Sequence, residues 1–73
     1  MEFDEKTRQA AIRLGQNLSG NAWYASVGIG EEAGQEVLIV YLRRLPPNGG
    51  KGIPQEWEGL PVRLQHLGKV VAL

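Results

Sequence analysis

A chain of 73 residues with 42% hydrophobic content and a formal net charge of zero reads as one globular domain, close to the size at which a single core is only just sufficient. Cysteine is absent, which excludes disulfides and thiolate metal sites and leaves packing or association to do the stapling. Zero net charge likewise removes any overall pull toward nucleic acid or anionic lipid.

The first segment, about residues 3–18, predicts an amphipathic helix, because Phe3, Thr7, Ala11, Leu14 and Leu18 recur at three and four residues and form one stripe. Asp4 or Glu5 sits where an acid favours a helix N-terminus, and Ser19-Gly20-Asn21 ends the pattern. Gly15 costs about 1 kcal/mol against alanine in a helix interior, so close packing against a sheet is expected there. The opening residues Glu2, Asp4 and Glu5 are acidic where a secretory leader is basic and then apolar, and no later run reaches membrane-spanning length. The expected chain is cytoplasmic, with no membrane segment.

A hairpin follows, with strands at about 23–29 and 36–42. Trp23, Ala25, Val27 and Ile29 alternate with Tyr24, Ser26, Gly28 and Gly30. The second strand contains Val37-Leu38-Ile39-Val40-Tyr41-Leu42, six apolar residues in a row, which place large side chains on both faces of a sheet. A three-residue loop Glu32-Ala33-Gly34 sets Ile29 opposite Val37, Val27 opposite Ile39 and Ala25 opposite Tyr41. The reverse face then pairs Gly28 with Leu38, Ser26 with Val40 and Tyr24 with Leu42. One helix can cover only one of these faces, so the other needs a loop or a second protein.

Residues 43–59 carry four glycines and three prolines without a sustained period. They predict a long loop with one helical turn at Pro54-Gln55-Glu56-Trp57, folded back through Leu45, Ile53, Trp57 and Leu60. A third strand is expected at 61–66, with Val62 and Leu64 inward, and a short terminal strand at 69–73 on an edge. The fold class is α+β: an N-terminal helix packed on a small, mostly antiparallel sheet of three to four strands, in a single domain 1–73. Acids concentrate up to Glu36 and bases beyond it. In so small a fold the halves are expected to interleave as ordinary exposed ion pairs.

No residue pattern specifies catalysis. Asn48-Gly49-Gly50-Lys51-Gly52 lacks the GxxxxGK[ST] spacing and does not open a helix, so it reads as a turn. His66 is the lone histidine, so a metal site would have to come almost wholly from carboxylates, and a histidine-based triad would need Ser19 or Ser26 with Asp4, which are scattered along the chain. Glu31-Glu32 and Glu56/Glu58 lie in solvated turn contexts. The expectation is a non-enzymatic protein with no cofactor and no metal, acting as a small protein-interaction module that self-associates or docks to a partner protein. Its contact residues are expected to be Leu38, Val40 and Leu42, with Gly28 as the floor, joined by Trp57, or else the terminal edge strand. The alternative is a nucleic-acid binder using Arg43, Arg44 and Lys51, near the aromatics Tyr41 and Trp57.

Val27-Gly28-Ile29-Gly30, the strand ending at Arg43, Ile53-Pro54, Gly59-Leu60-Pro61-Val62 and Gly68 follow one another in an order that resembles a known family. The stretch from Val27 to Gly68 is similar to the short β-rich region preceding the catalytic domain of bacterial trypsin-like serine peptidases. In that family the nucleophile, histidine and acid lie downstream of this region, so none of them can be placed on these residues. The resemblance implies an accessory module with a docking or regulatory part.

Overall fold

In the computed structural model, residues 4–67 are described. They form helix α1 (Glu5–Leu18), strands β1 (Tyr24–Glu32) and β2 (Gln35–Leu42), a 3-10 turn at Pro47–Gly50, and strands β3 (Glu56–Trp57) and β4 (Leu60–His66). The helix and the four-stranded mixed sheet make an α+β fold, as the alternation of apolar residues implied. The expected strand at 69–73 and the helix residue Phe3 lie outside the described residues.

Helix α1 starts where Asp4 accepts a hydrogen bond from the Lys6 amide at 3.0 Å, satisfying one of the first-turn donors that have no partner within the helix. At the other end Asn21 Nδ2 donates to the Leu18 carbonyl at 3.0 Å. The buried stripe is Thr7, Ala10, Leu14 and Leu18, with Ala10 taking the central place expected of Ala11. At Gly15 the side chain of Tyr24 from β1 lies against the helix: a Cβ there would stand 2.9 Å from Tyr24 Oη.

The sheet order is β1-β2-β4-β3, with β1 antiparallel to β2, β4 parallel to β2 and β3 antiparallel to β4. The hairpin register differs by one residue from expectation. Ile29 faces Leu38, Gly28 faces Ile39, Val27 faces Val40 and Gly30 faces Val37, with a bulge between Tyr24 and Ser26. The cause is the turn. Only Ala33 (φ 51) and Gly34 (φ 81) lie between the strands, a two-residue turn whose twist matches that of the strands. Losing one loop residue exchanges the faces of β2 relative to expectation.

Leu38, Val40 and Leu42 consequently point toward the helix and are 0%, 0% and 3% exposed. They form the core with Ala10, Leu14, Leu18, Trp23, Ile53 and Val62. They are therefore not the uncovered surface, which corrects the expectation that they meet a partner. Trp57 differs from these three in being only partly buried: it packs on this cluster and its Nε1 donates to the Ala10 carbonyl at 3.1 Å.

Residues 43–59 fold back over the core side of the sheet through Ile53 and Trp57, as anticipated, while Leu45 remains exposed. The helical turn expected at Pro54–Trp57 is absent. Glu56–Trp57 instead pairs with Leu60–Pro61 through a second two-residue turn, Glu58 (φ 51) and Gly59 (φ 83). Val62 is buried as expected, but Leu64 is 46% exposed. It lines an open cavity with Gly50, Ile53 and Val62, and a Cβ on Gly50 would stand 3.4 Å from Leu64 Cδ1.

Candidate protein-docking surface

The shortest extent of the molecule is 18 Å, the thickness of one helix laid on one sheet, since each layer occupies about 10 Å. Among the described residues, α1 and the 43–59 segment both lie on the core side. The opposite face carries Ser26, Gly28 and Gly30 on β1, Val37, Ile39 and Tyr41 on β2, and Arg63 and Gln65 on β4, as the register requires.

Two glycines shape that face. A Cβ on Gly28 would stand 3.0 Å from the Tyr41 ring, and one on Gly30 would stand 2.7 Å from Ile39 Cδ1. The Tyr41 ring and the Ile39 side chain thus lie over glycine, and both residues keep part of their surface in solvent. Val37 is only 2% exposed. It sits between Glu32 and Arg63, whose side chains bridge across β2 at 3.0 and 3.2 Å.

Strand β1 is at the edge of the sheet, pairing with β2 on one side and with no described residue on the other. It is nine residues long, with no proline, and from Tyr24 to Gly30 it bears no charge. Natural edges are normally blunted by proline, charge or a bulge; β1 has a bulge between Tyr24 and Ser26 and two glutamates at its end, but neither proline nor charge from Ser26 to Gly30. Beside it runs a groove of about 390 Å³ between helix and strand, lined by Ala11, Ile12, Gly15, Tyr24, Ser26 and Val27 among others. Ile12, off the buried stripe, is 50% exposed.

The charges of the β1–β2 hairpin and its flanks segregate by end. Because β2 runs from Gln35 to Leu42, about 24 Å at ~3.4 Å per residue, Glu31, Glu32 and Glu36 lie at one end and Arg43 and Arg44 just past the other. Helix α1 starts at the acidic end, where Thr7 Oγ1 donates to Glu36 Oε1 at 2.5 Å and the Asp4 amide approaches Glu36 Oε2 at 3.4 Å. The basic end holds the 46–52 bend, which lines a cavity with Asn21 and Trp23. Arg43, Arg44 and Lys51 are exposed and make no ion pair with any described residue. Interleaving of the two halves is thus partial: Arg63 reaches Glu32 and Arg13 reaches Glu58, while these three bases stay apart.

The remaining candidates are structural. Asn48 (φ 56), Gly49 (φ 65) and Gly50 (φ 88) make a left-handed bend that seats Gly50 in the interior. His66 ends β4, exposed. Among the described residues, no three histidine or carboxylate side chains gather as a metal would require, and no helix is long and apolar enough to cross a membrane.

Arg13 and Glu58 form a two-pronged pair joining α1 to the β3–β4 turn, with Arg13 Nε donating to Glu58 Oε2 at 2.6 Å. The hydrogen bonds from Arg13 hold the Glu58 carboxyl below the usual carboxylate range, against partial desolvation and with the help of charge attraction. A depressed folded pKa contributes stability above the unfolded value and loses it as pH falls through the folded one. Glu58→Gln should therefore flatten the acid limb of a thermal-stability profile below about pH 4.5. An acid limb identical in the two proteins contradicts the coupling.

No family model, curated protein or solved structure matches this chain.

Sequence reasoning missed the β1 edge, Ile12 and the side of the sheet that stays open. One signal for Ile12 was present. It is a large apolar residue off the stripe that defines the buried side of the helix.

Proposed function

We propose that the protein is a non-enzymatic interaction module that docks another protein along β1 and the adjoining face of the sheet. The observation that carries this reading is the β1 edge: nine residues whose outer backbone side pairs with no described residue, beside a groove containing the exposed Ile12. An incoming strand would find backbone donors and acceptors along the edge and an apolar slot for its side chains. Ile39 and Tyr41, lying over Gly30 and Gly28, extend the contact surface around the strand.

The similarity of Val27–Gly68 to the region ahead of the peptidase catalytic domains supports the same role, that of an accessory part that binds rather than reacts. Nucleic-acid binding through Arg43, Arg44 and Lys51 is the weaker reading. The three bases share one end, but the Trp57 indole is turned to Ala10 and the Tyr41 ring lies over Gly28 on the sheet, so neither is a free stacking platform beside them.

Placing a photo-crosslinking amino acid at Ile12 in cells tests the docking reading. Protein adducts of discrete mass at Ile12, and none with the same residue at Asn17, are the expected result. Equal or absent labelling at the two positions removes the reading.

A further inference from the structure

The partner along β1 is, we infer, a second copy of this chain, paired antiparallel across a two-fold axis; this rests on the docking reading above and names its occupant. The argument is charge complementarity. The ends of β1 differ in character: Glu31, in no ion pair with a described residue, and Glu32, shared with Arg63 of its own chain, close the strand at one end, while at the other the Trp23 carbonyl accepts from the Arg43 amide at 2.9 Å, placing Arg43 and Arg44 beside the start of the strand. Antiparallel pairing of two such edges brings the glutamates of each copy to the arginines of the other, twice, as two-fold symmetry requires. Parallel pairing would instead set glutamate against glutamate and arginine against arginine, so the charges select one orientation as well as one partner.

The middle of the strand permits the approach. Ser26, Gly28 and Gly30 put little bulk on one face, and no charge intervenes between Tyr24 and Gly30. On the helix side, the grooves beside the two edges meet at the axis, so Ile12 of each copy is brought toward the other and leaves solvent. The two four-stranded sheets become one, and each loses its long open edge. The outer side of β4 is a poorer candidate, because β3 already occupies its start.

Charge exchange provides the test. The wild-type chain should show a concentration-dependent dimer in sedimentation equilibrium, weakening as salt rises. Glu31→Lys with Glu32→Lys in one variant, and Arg43→Glu with Arg44→Glu in another, should each weaken self-association by on the order of tenfold or more. Mixed in equal amounts, the two variants should associate again, because both symmetry-related contacts are then restored with their signs exchanged. All four positions are exposed, and circular dichroism verifies that each variant is folded.

Three results overturn the inference: a wild-type chain that stays monomeric to millimolar concentration at low salt, variants that dimerise like the wild type, or a mixture that does not recover. If the chain is monomeric and Ile12 still yields adducts with a different protein, the second copy fails as occupant and the docking reading stands. If Ile12 yields none either, both fail.

Discussion

Leu38→Ala should destabilise the protein by about 3–5 kcal/mol, against about 1 kcal/mol for the neighbouring Ile39→Ala, the costs expected of a fully enclosed and a partly exposed side chain. Leu38 is 0% exposed, in the cluster between α1 and the sheet, whereas Ile39 lies on the far face over Gly30. A domain of this length carries roughly 4–11 kcal/mol in total, so the first substitution brings it near its unfolding threshold. Urea titrations of the two variants decide the register directly. Equal losses, or a larger loss at Ile39, would mean that the strand is turned the other way.

Trp57→Ala should be the next most damaging change, at roughly 2–4 kcal/mol, although the residue is only half-buried. Its ring packs on the core and its indole donates to the Ala10 carbonyl, while the adjacent Glu58 is held by Arg13. Two consecutive residues thus fasten the β3–β4 turn to the helix. Trp57→Phe keeps most of the packing and gives up the hydrogen bond, for about 1 kcal/mol. Denaturant midpoints measured together separate the two contributions. If Phe and Ala cost the same, the hydrogen bond rather than the ring is the fastening, and the packing argument is wrong.

The helix and the hairpin could be read from the chain because their periods are local. Thr7, Leu14 and Leu18 repeat at helical spacing, and the glycine at 34 marks a turn whatever its length. Register could not be read in the same way, because a two-residue and a three-residue connection differ by one residue of loop and exchange the sheet's faces. Ala33 concealed the answer. The two-residue turn demands positive φ at both of its positions, and alanine is not a residue that announces it. That single displacement moved the expected contact surface from Val37, Ile39 and Tyr41 to Leu38, Val40 and Leu42, while the underlying reasoning, that a strand apolar on both sides needs two kinds of cover, retained its force. The strand pair Glu56–Trp57 was hidden for a related reason. Proline ahead of an acidic pair looks like the start of a helix, and only the partner segment Leu60–Pro61, brought back by the Glu58-Gly59 turn, makes it a strand.

The parallel pairing of β2 with β4 has a consequence for how the molecule assembles. These strands are joined by residues 43–59, whose regular structure amounts to a 3-10 turn and the two residues of β3, so bringing them together costs roughly 2.5 kcal/mol in closure entropy beyond a constant. The tight connection between β1 and β2 carries almost no such cost. Helix and hairpin are therefore the early pieces, and β4 is the late arrival. A chain emerging from the ribosome completes its sheet only once His66 has been delivered; until then β2 lacks its second neighbour, and newly made copies are most vulnerable to mispairing at that stage.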